Sequence, residues 1–312
     1  MKVYYNIQTF VGVKNPITTI GTFDGVHLGH QKIIRRLMEI KKEQGGETAI
    51  FTFDPHPRAI LFPEKEDLKL ITTTSEKISL LEKAGIDHLI VFPFTHDFSQ
   101  ISADTYIRDV LIRQLKIKTL VIGYDHRFGS NREGNIETLV KYGKELNFEV
   151  EEIPAQDIDN IIISSTKIRK ALEEGDVKTA NSGLGYTYFF EGLVVKGKQL
   201  GRTIGYPTAN IGIKDPLKLI PKIGVYAVVV YVEGITYKGM LSIGMNPTTD
   251  SDGIVKLEVN IFDFDKDIYG NSIKVGLIER LRDEEKFSTL EELKLQLALD
   301  KKNSLEIFST LH

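Results

Sequence analysis

The chain has 312 residues, and ordinary domain sizes make two units the expectation, each large enough to bury its own core. Forty lysines and arginines against 43 aspartates and glutamates leave a formal charge of −3, so no global positive field would hold nucleic acid or an anionic membrane, and any anion site must be local. With no cysteine, disulfides, thiolate nucleophiles and cysteine-built metal centres are excluded.

The amino end, MKVYYNIQTFVGVKNP, lacks a long apolar export region, and no later run of about 18 apolar residues could span a bilayer. The expectation is a soluble, unexported, cytoplasmic protein. From Ile17 to about Pro154, short apolar runs (ITTIG, TAIFTF, HLIVFPF, TLVIG, FEVEEIP) alternate with amphipathic stretches such as IIRRLMEIKK and SEKISLLEKAG. Ile33, Ile34, Leu37 and Met38 share one helical face, Gly45 and Gly46 stop that helix, and Thr73 with Glu76 has capping-box spacing for the next. Parallel strands crossed by helices predict a doubly wound sheet with its ligand crevice at the carboxyl ends of the strands.

GTFDGVHLGH, residues 21–30, follows the first of these strands and leads into its helix, where unpaired backbone NH groups and the helix dipole attract phosphate. Its histidines, His27 and His30, could be metal ligands, but they would need a third protein ligand, and neither an HExxH pattern nor a cysteine is available. They could also be hydrogen-bonding residues at a helix start. Asp24 is either a turn residue or a group that orients a histidine or hydrated magnesium. Three further polar clusters fall on the same predicted rim: FDPHPR at 53–58, with His56 between two prolines, GYDHRFGSNREG at 123–134, and ISSTKIR at 163–169. Arg169 offers a planar fork for phosphate, and Ser164, Ser165 and Thr166 offer hydroxyls and backbone NH groups, although SST before a helix is also an ordinary N-cap.

After the short helical patterns TKIRKALEEGD and VKTANSG, the texture changes near Leu184 to β-rich runs joined by glycine turns, which predicts a small antiparallel barrel or sandwich. In GKQLGRTIGYPTAN, residues 197–210, Gly197, Gly201 and Gly205 permit close backbone approach to phosphate. Lys198 and Arg202 add charge, and Thr208 and Asn210 offer oxygens for magnesium. A glycine-rich hairpin explains the glycines equally well, but not PTAN. Further on, alternation sets Leu257, Val259 and Ile261 opposite Glu258 and Asn260. Leu290, Leu293 and Leu297 then predict a terminal helix packed on the β-rich domain.

GTFDGVHLGH with ISSTKIR, and GKQLGRTIGYPTAN with KLEVNIFDFDKDIYG, resemble the bacterial bifunctional riboflavin kinase/FAD synthetase family from about residue 17 to the carboxyl end. The resemblance implies a nucleotidyltransferase-like HxGH domain over residues 1–184 and a β-barrel riboflavin kinase domain with a terminal helix over 185–312. It implies that the first joins FMN to the AMP part of ATP, releasing pyrophosphate, and that the second makes FMN from riboflavin. ATP would be the co-substrate, Mg2+ the metal, and riboflavin, FMN and FAD the substrates and products. In the first domain it casts His27 and His30 as donors to phosphate, with Gly21, Phe23, Asp24, Ser164, Ser165, Thr166 and Arg169 around the nucleotide and Asp125 and Arg127 toward the flavin. In the second it casts Glu258 as the base, the 197–210 segment including Pro207 as the nucleotide loop, Thr208 and Asn210 as magnesium ligands, and Arg282 as a flavin contact. The family usually carries an aromatic where this chain has His126, and a histidine where it has Asn260. Two other readings stay open: a chain in which one site has weakened at those departures, and a non-catalytic flavin or nucleotide sensor.

Overall fold

Alternation along the strands decides the layering of the amino-terminal half. Ala49, Phe51, Ile90, Leu120 and Ile122 point into one apolar cluster, while their neighbours Ile50, Leu89, Val91 and Val121 point into another. A strand buried on both faces must be covered on both, which is the arrangement that helical crossovers produce. The computed structural model describes residues 1–64, 68–154, 164–197, 201, 204–245 and 255–310. The chain divides into two units, Met1–Ser165 and Thr166–His312.

In the first unit, β1 (Lys2–Tyr4), β2 (Pro16–Ile20), β3 (Glu47–Phe53), β4 (His88–Phe92), β5 (Thr119–Gly123) and β6 (Glu149–Ile153) form one parallel sheet in the order β1-β4-β3-β2-β5-β6. Strand order reverses at β2, so the loop leaving β2 opens at the switch point where ligands of such sheets bind. On one face lie α1 (Leu28–Gln44) and α3 (Thr74–Lys83), which bury Leu37, Ile40 and Leu81; α2 (Pro57–Leu61) is a short turn after β3. Gly45, at a φ of 73°, ends α1, and Thr73 with Glu76 makes the expected capping box on α3. The other face is covered by α6 (Ile136–Leu146) and by a helix that starts as α5 (Ala103–Thr105), after the single turn α4 (His96–Ser99), and continues as a π-helix over Tyr106–Gln114. Strand β1 was not expected from sequence: three residues, KVY, are too few to show a period, and it adds to the sheet edge beside β4.

α7 (Ser165–Glu174) starts at the last residue of the first unit and lies otherwise in the second, which continues with α8 (Val177–Leu184) and closes β7 (Phe189–Val195), β8 (Ala209–Gly212), β9 (Gly224–Val232), β10 (Ile235–Met245), β11 (Val255–Ile261) and β12 (Ser272–Arg282) into a barrel of order β10-β11-β8-β7-β12-β9. All its pairings are antiparallel, so the barrel alternative is realised and no strand edge is left open. α9 (Leu290–Thr310) packs against β9, β10 and β12. Its buried face runs through Asp300, Ser304 and Phe308 with Leu293 and Leu297 half-buried, whereas Leu290, the first residue of the helix, is 64% exposed. This corrects the expectation for Leu290.

Candidate active sites

The turn after β2 is wound tightly: Phe23, Gly25 and Val26 take positive φ values of 48°, 83° and 38°. Gly25 takes that conformation freely, but Phe23 and Val26 do so at a cost in strain that surrounding contacts must hold in place. Phe23, 1% exposed, is clamped in the core with its ring 4.8 Å from that of His30, and a Cβ on Gly21 would press on the Phe23 ring at 3.2 Å. Asp24, 2% exposed, accepts from Thr72 N at 3.1 Å, while Gly25 N donates to Thr72 Oγ1 at 3.0 Å. Thr72 is thus a support that the sequence did not reveal, and the Asp24 carboxylate is engaged in holding the turn.

His27 sits at the N-cap of α1, but its side chain makes no capping bond. The two imidazoles stack instead, with centroids 3.7 Å apart and planes at 19°. Burial, helped by the neighbouring His27 and by the charge of Lys77, holds His30 well below the usual histidine pKa, so its ring is neutral near pH 7. Its Nδ1 is buried with no hydrogen-bond partner in the protein. A neutral imidazole has one NH to give, and at a helix start its natural acceptor is an anionic oxygen.

Of the partner segment, Ser165 Oγ donates to Asp24 O at 3.1 Å, which ties Ser165 to the GTFDGVHLGH turn. Ser164 precedes α7, and Thr166 and Arg169 lie on α7 beyond the limit of the first unit. His56 caps α2 by accepting from Arg58 N at 3.1 Å, a local role. Asp125 and Arg127 are exposed on the loop after β5, with Arg127 Nη1 donating to His126 O at 3.4 Å. Between them His126 turns inward against Phe128, ring centroids 5.9 Å apart, and burial lowers its pKa to about 4.

In the second unit, pairing of β8 with β11 sets Asn210 directly opposite Glu258. Thr208 Oγ1 lies 3.5 Å from Glu258 Oε2, and Lys256 Nζ holds Oε1 at 2.6 Å. Lys256 was not anticipated, although alternation places it on the Glu258 face two residues earlier. Asn260, the next on that face, is buried and donates from Nδ2 to Pro207 O at 2.7 Å, tying the PTAN segment to β11. A Cβ on Gly197 would collide with the Asn210 carboxamide, and one on Gly201 with the Tyr206 carbonyl, so both glycines are required by close approach; Gly205 takes a φ of 82°. Lys198 and Arg202 lie outside the described residues. A cavity of about 310 Å³ opens beside this cluster, lined by Val194, Pro207, Thr208, Val259, Phe264 and Tyr269 among others. Arg282 grips Asp300 of α9 with two nitrogens at 2.8–3.2 Å, Asp300 being 1% exposed.

The oxygens of Thr208 and Asn210, neutral and carried on adjoining positions of a strand end, suit a hard cation that keeps most of its waters and brings phosphates with it. Among the described residues no group of three histidine, aspartate or glutamate side chains could enclose a metal ion, and no helix is long and apolar enough to cross a membrane.

A family model described as FAD synthetase matches residues 13–167, and one described as riboflavin kinase matches 184–308. The bifunctional riboflavin kinase/FMN adenylyltransferase of Listeria monocytogenes is 39% identical over 95% of this chain and 94% of its own length. The proteins of that name from Bacillus subtilis and Escherichia coli K12 are 40% and 36% identical, over 95% and 94% of this chain and 93% and 92% of their own lengths. A crystal structure from Streptococcus pneumoniae, described as a macrolide-efflux protein, superposes with a TM-score of 0.86 at 33% identity, covering 97% of this chain and 98% of that one.

Proposed function

This chain belongs to the family of bifunctional riboflavin kinase/FMN adenylyltransferases, and from that premise we propose which of its residues run each reaction. The enzyme phosphorylates riboflavin to FMN in its riboflavin kinase domain and joins FMN to AMP in its FAD synthetase domain, with ATP as substrate of both. We place the boundary of the two activities at 184/185, so that α7 and α8 belong in sequence to the first activity. The acidic balance and the small-molecule chemistry support a cytoplasmic enzyme that needs neither nucleic acid nor membrane.

In FMN adenylylation an FMN phosphate oxygen attacks the α-phosphorus of ATP, and the bond to the β-phosphate oxygen breaks to release pyrophosphate. The nucleophile is already an anion, so no proton has to be removed. What the reaction needs is alignment and donors toward charge growing on the phosphoryl oxygens. His27 and His30 supply those donors from the start of α1, with the Gly21–Asp24 turn shaping the nucleotide seat and Ser165 closing it from the side. The stacked, inward-held pair with a neutral His30 is the observation that carries this reading. Arg169, Ser164 and Thr166 are assigned to the nucleotide on their motif, and Asp125 and Arg127 to the flavin rim.

Riboflavin phosphorylation is different: the ribityl hydroxyl must lose its proton as it attacks the γ-phosphorus, and ADP leaves. Glu258 takes that proton through Oε2, while Lys256 fixes Oε1 and so the orientation of the carboxylate. Thr208 and Asn210 would hold Mg2+, which when bound neutralises charge on the ATP phosphates. Gly197, Lys198, Gly201, Arg202, Gly205 and Pro207 form the nucleotide loop, and the adjoining cavity is a seat of the size and apolar character for the adenine ring. Arg282 serves the flavin indirectly, by anchoring α9. Incubation with riboflavin and magnesium-ATP tests the whole assignment: FMN must appear first and FAD with pyrophosphate after it. Accumulation of FMN alone would favour the reading in which the first site has weakened.

A further inference from the structure

Lys77, on α3, is 6% exposed, and neither reaction as assigned above uses it. Its Nζ donates to Thr52 Oγ1 at 3.3 Å, and Thr52 Oγ1 donates in turn to Thr22 O at 3.1 Å, so the ammonium lies one hydroxyl away from the backbone of the GTFDGVHLGH turn. Burial pulls its pKa down, whereas the carboxylates of Asp24 and Asp54 push it back up. On the other side the same charge acts on His30. A buried ammonium is expensive unless negative charge acts on it, and the charges of Asp24 and Asp54 do, Asp54 being held by Thr74 three residues before Lys77 on α3.

Those carboxylates present a problem for a phosphate site. Asp24 is buried inside the turn, and Asp54, held by Thr74 Oγ1 at 2.7 Å, ends β3 on the same rim. Left uncompensated, two negative charges would repel the triphosphate that the turn has to receive.

We propose that Lys77 is an electrostatic positioning residue of the FMN adenylyltransferase site, its buried ammonium neutralising Asp24 and Asp54 beneath the turn so that a polyphosphate can bind against it. The proposal rests on the assignment of that turn to ATP. In the full-length enzyme, Lys77→Met is expected to raise the KM for ATP in FAD formation about tenfold, with a smaller change in kcat, and to leave riboflavin phosphorylation unchanged. Asp54→Asn, which keeps its hydrogen-bonding shape and removes one negative charge, should lower that KM about threefold alone and recover part of the loss when combined with Lys77→Met. A lysine that served only the stability of the fold would move the thermal midpoint and leave the KM for ATP of the folded enzyme unchanged. An unchanged KM in Lys77→Met, or an Asp54→Asn variant that binds ATP no better in either background, overturns the proposal. If Lys77→Met does not fold, Asp54→Asn alone decides. If His27→Ala with His30→Ala leaves FAD formation intact, the underlying assignment of the turn has failed instead.

Discussion

An imidazole kept neutral by its surroundings is a hydrogen-bond donor at the cost of some acid stability, and His126 allows that cost to be measured. Burial lowers its pKa from about 6.5 to about 4, with Arg127 adding to the effect and Asp125 opposing it. Between those values the unfolded chain takes up the proton and the folded one does not. The folded state is therefore fully favoured above about pH 6.5 and loses stability as pH falls toward 4. At pH 5 the loss from this group comes to about 2 kcal/mol. His126→Phe, which keeps an aromatic ring and removes the titrating group, should shrink the stability difference between pH 7.5 and pH 5 by about that amount in urea unfolding of the first unit. Equal differences in the two proteins would show that His126 is protonated in the native state. The bond of Asn260 to the Pro207 carbonyl gives it a positioning duty toward the segment assigned to the nucleotide. Asn260→Ala should raise the KM for ATP in riboflavin phosphorylation several-fold, a neutral buried hydrogen bond contributing about 1 kcal/mol, and should leave FAD formation from supplied FMN alone.

At the scale of elements, the joint between β12 and α9 rests on Arg282 and Asp300. Removing one partner leaves the other charge largely buried, so Asp300→Ala should destabilise the barrel unit by about 3 kcal/mol and depress kinase activity through loss of α9, detectable as a lower thermal midpoint. An unchanged midpoint would mean that the apolar contacts of Leu293, Leu297 and Phe308 suffice. The strand and helix rhythm of the first unit was readable because both periods are long and regular there, as was the capping box at Thr73. The barrel was readable as β-rich, but not its closure, since closure depends on which strands meet. Leu290 misled because a helical stripe in sequence does not say which of its positions the packed face includes, and Leu290 is the first residue of the helix. Within the candidate sites, the residues assigned to phosphate carry local signatures of glycine, histidine and hydroxyl. Their supports do not: Thr72 and Lys77 come from a helix start distant in sequence, and a lysine on an amphipathic helix reads as solvated until the fold buries it. Lys256 was within reach, since it shares a strand face with Glu258.

Across the whole molecule, two phosphate transfers divide between two architectures according to the nucleophile. On the proposed assignment, an anionic phosphate attacks at the rim of a parallel sheet, where neutral donors suffice, and a hydroxyl attacks beside a barrel strand that carries a carboxylate. If this is right, the two activities separate cleanly by mutation within one chain. The measurement that tests it most directly is product formation by Glu258→Gln and by His27→Ala with His30→Ala, each supplied with magnesium-ATP and either riboflavin or FMN. The glutamate variant should fail on riboflavin, by a factor of about 100 or more, yet turn supplied FMN into FAD at close to the normal rate. The histidine variant should turn riboflavin into FMN that accumulates. Loss of both activities together in either folded variant, or normal FAD formation without the histidines, would contradict the account.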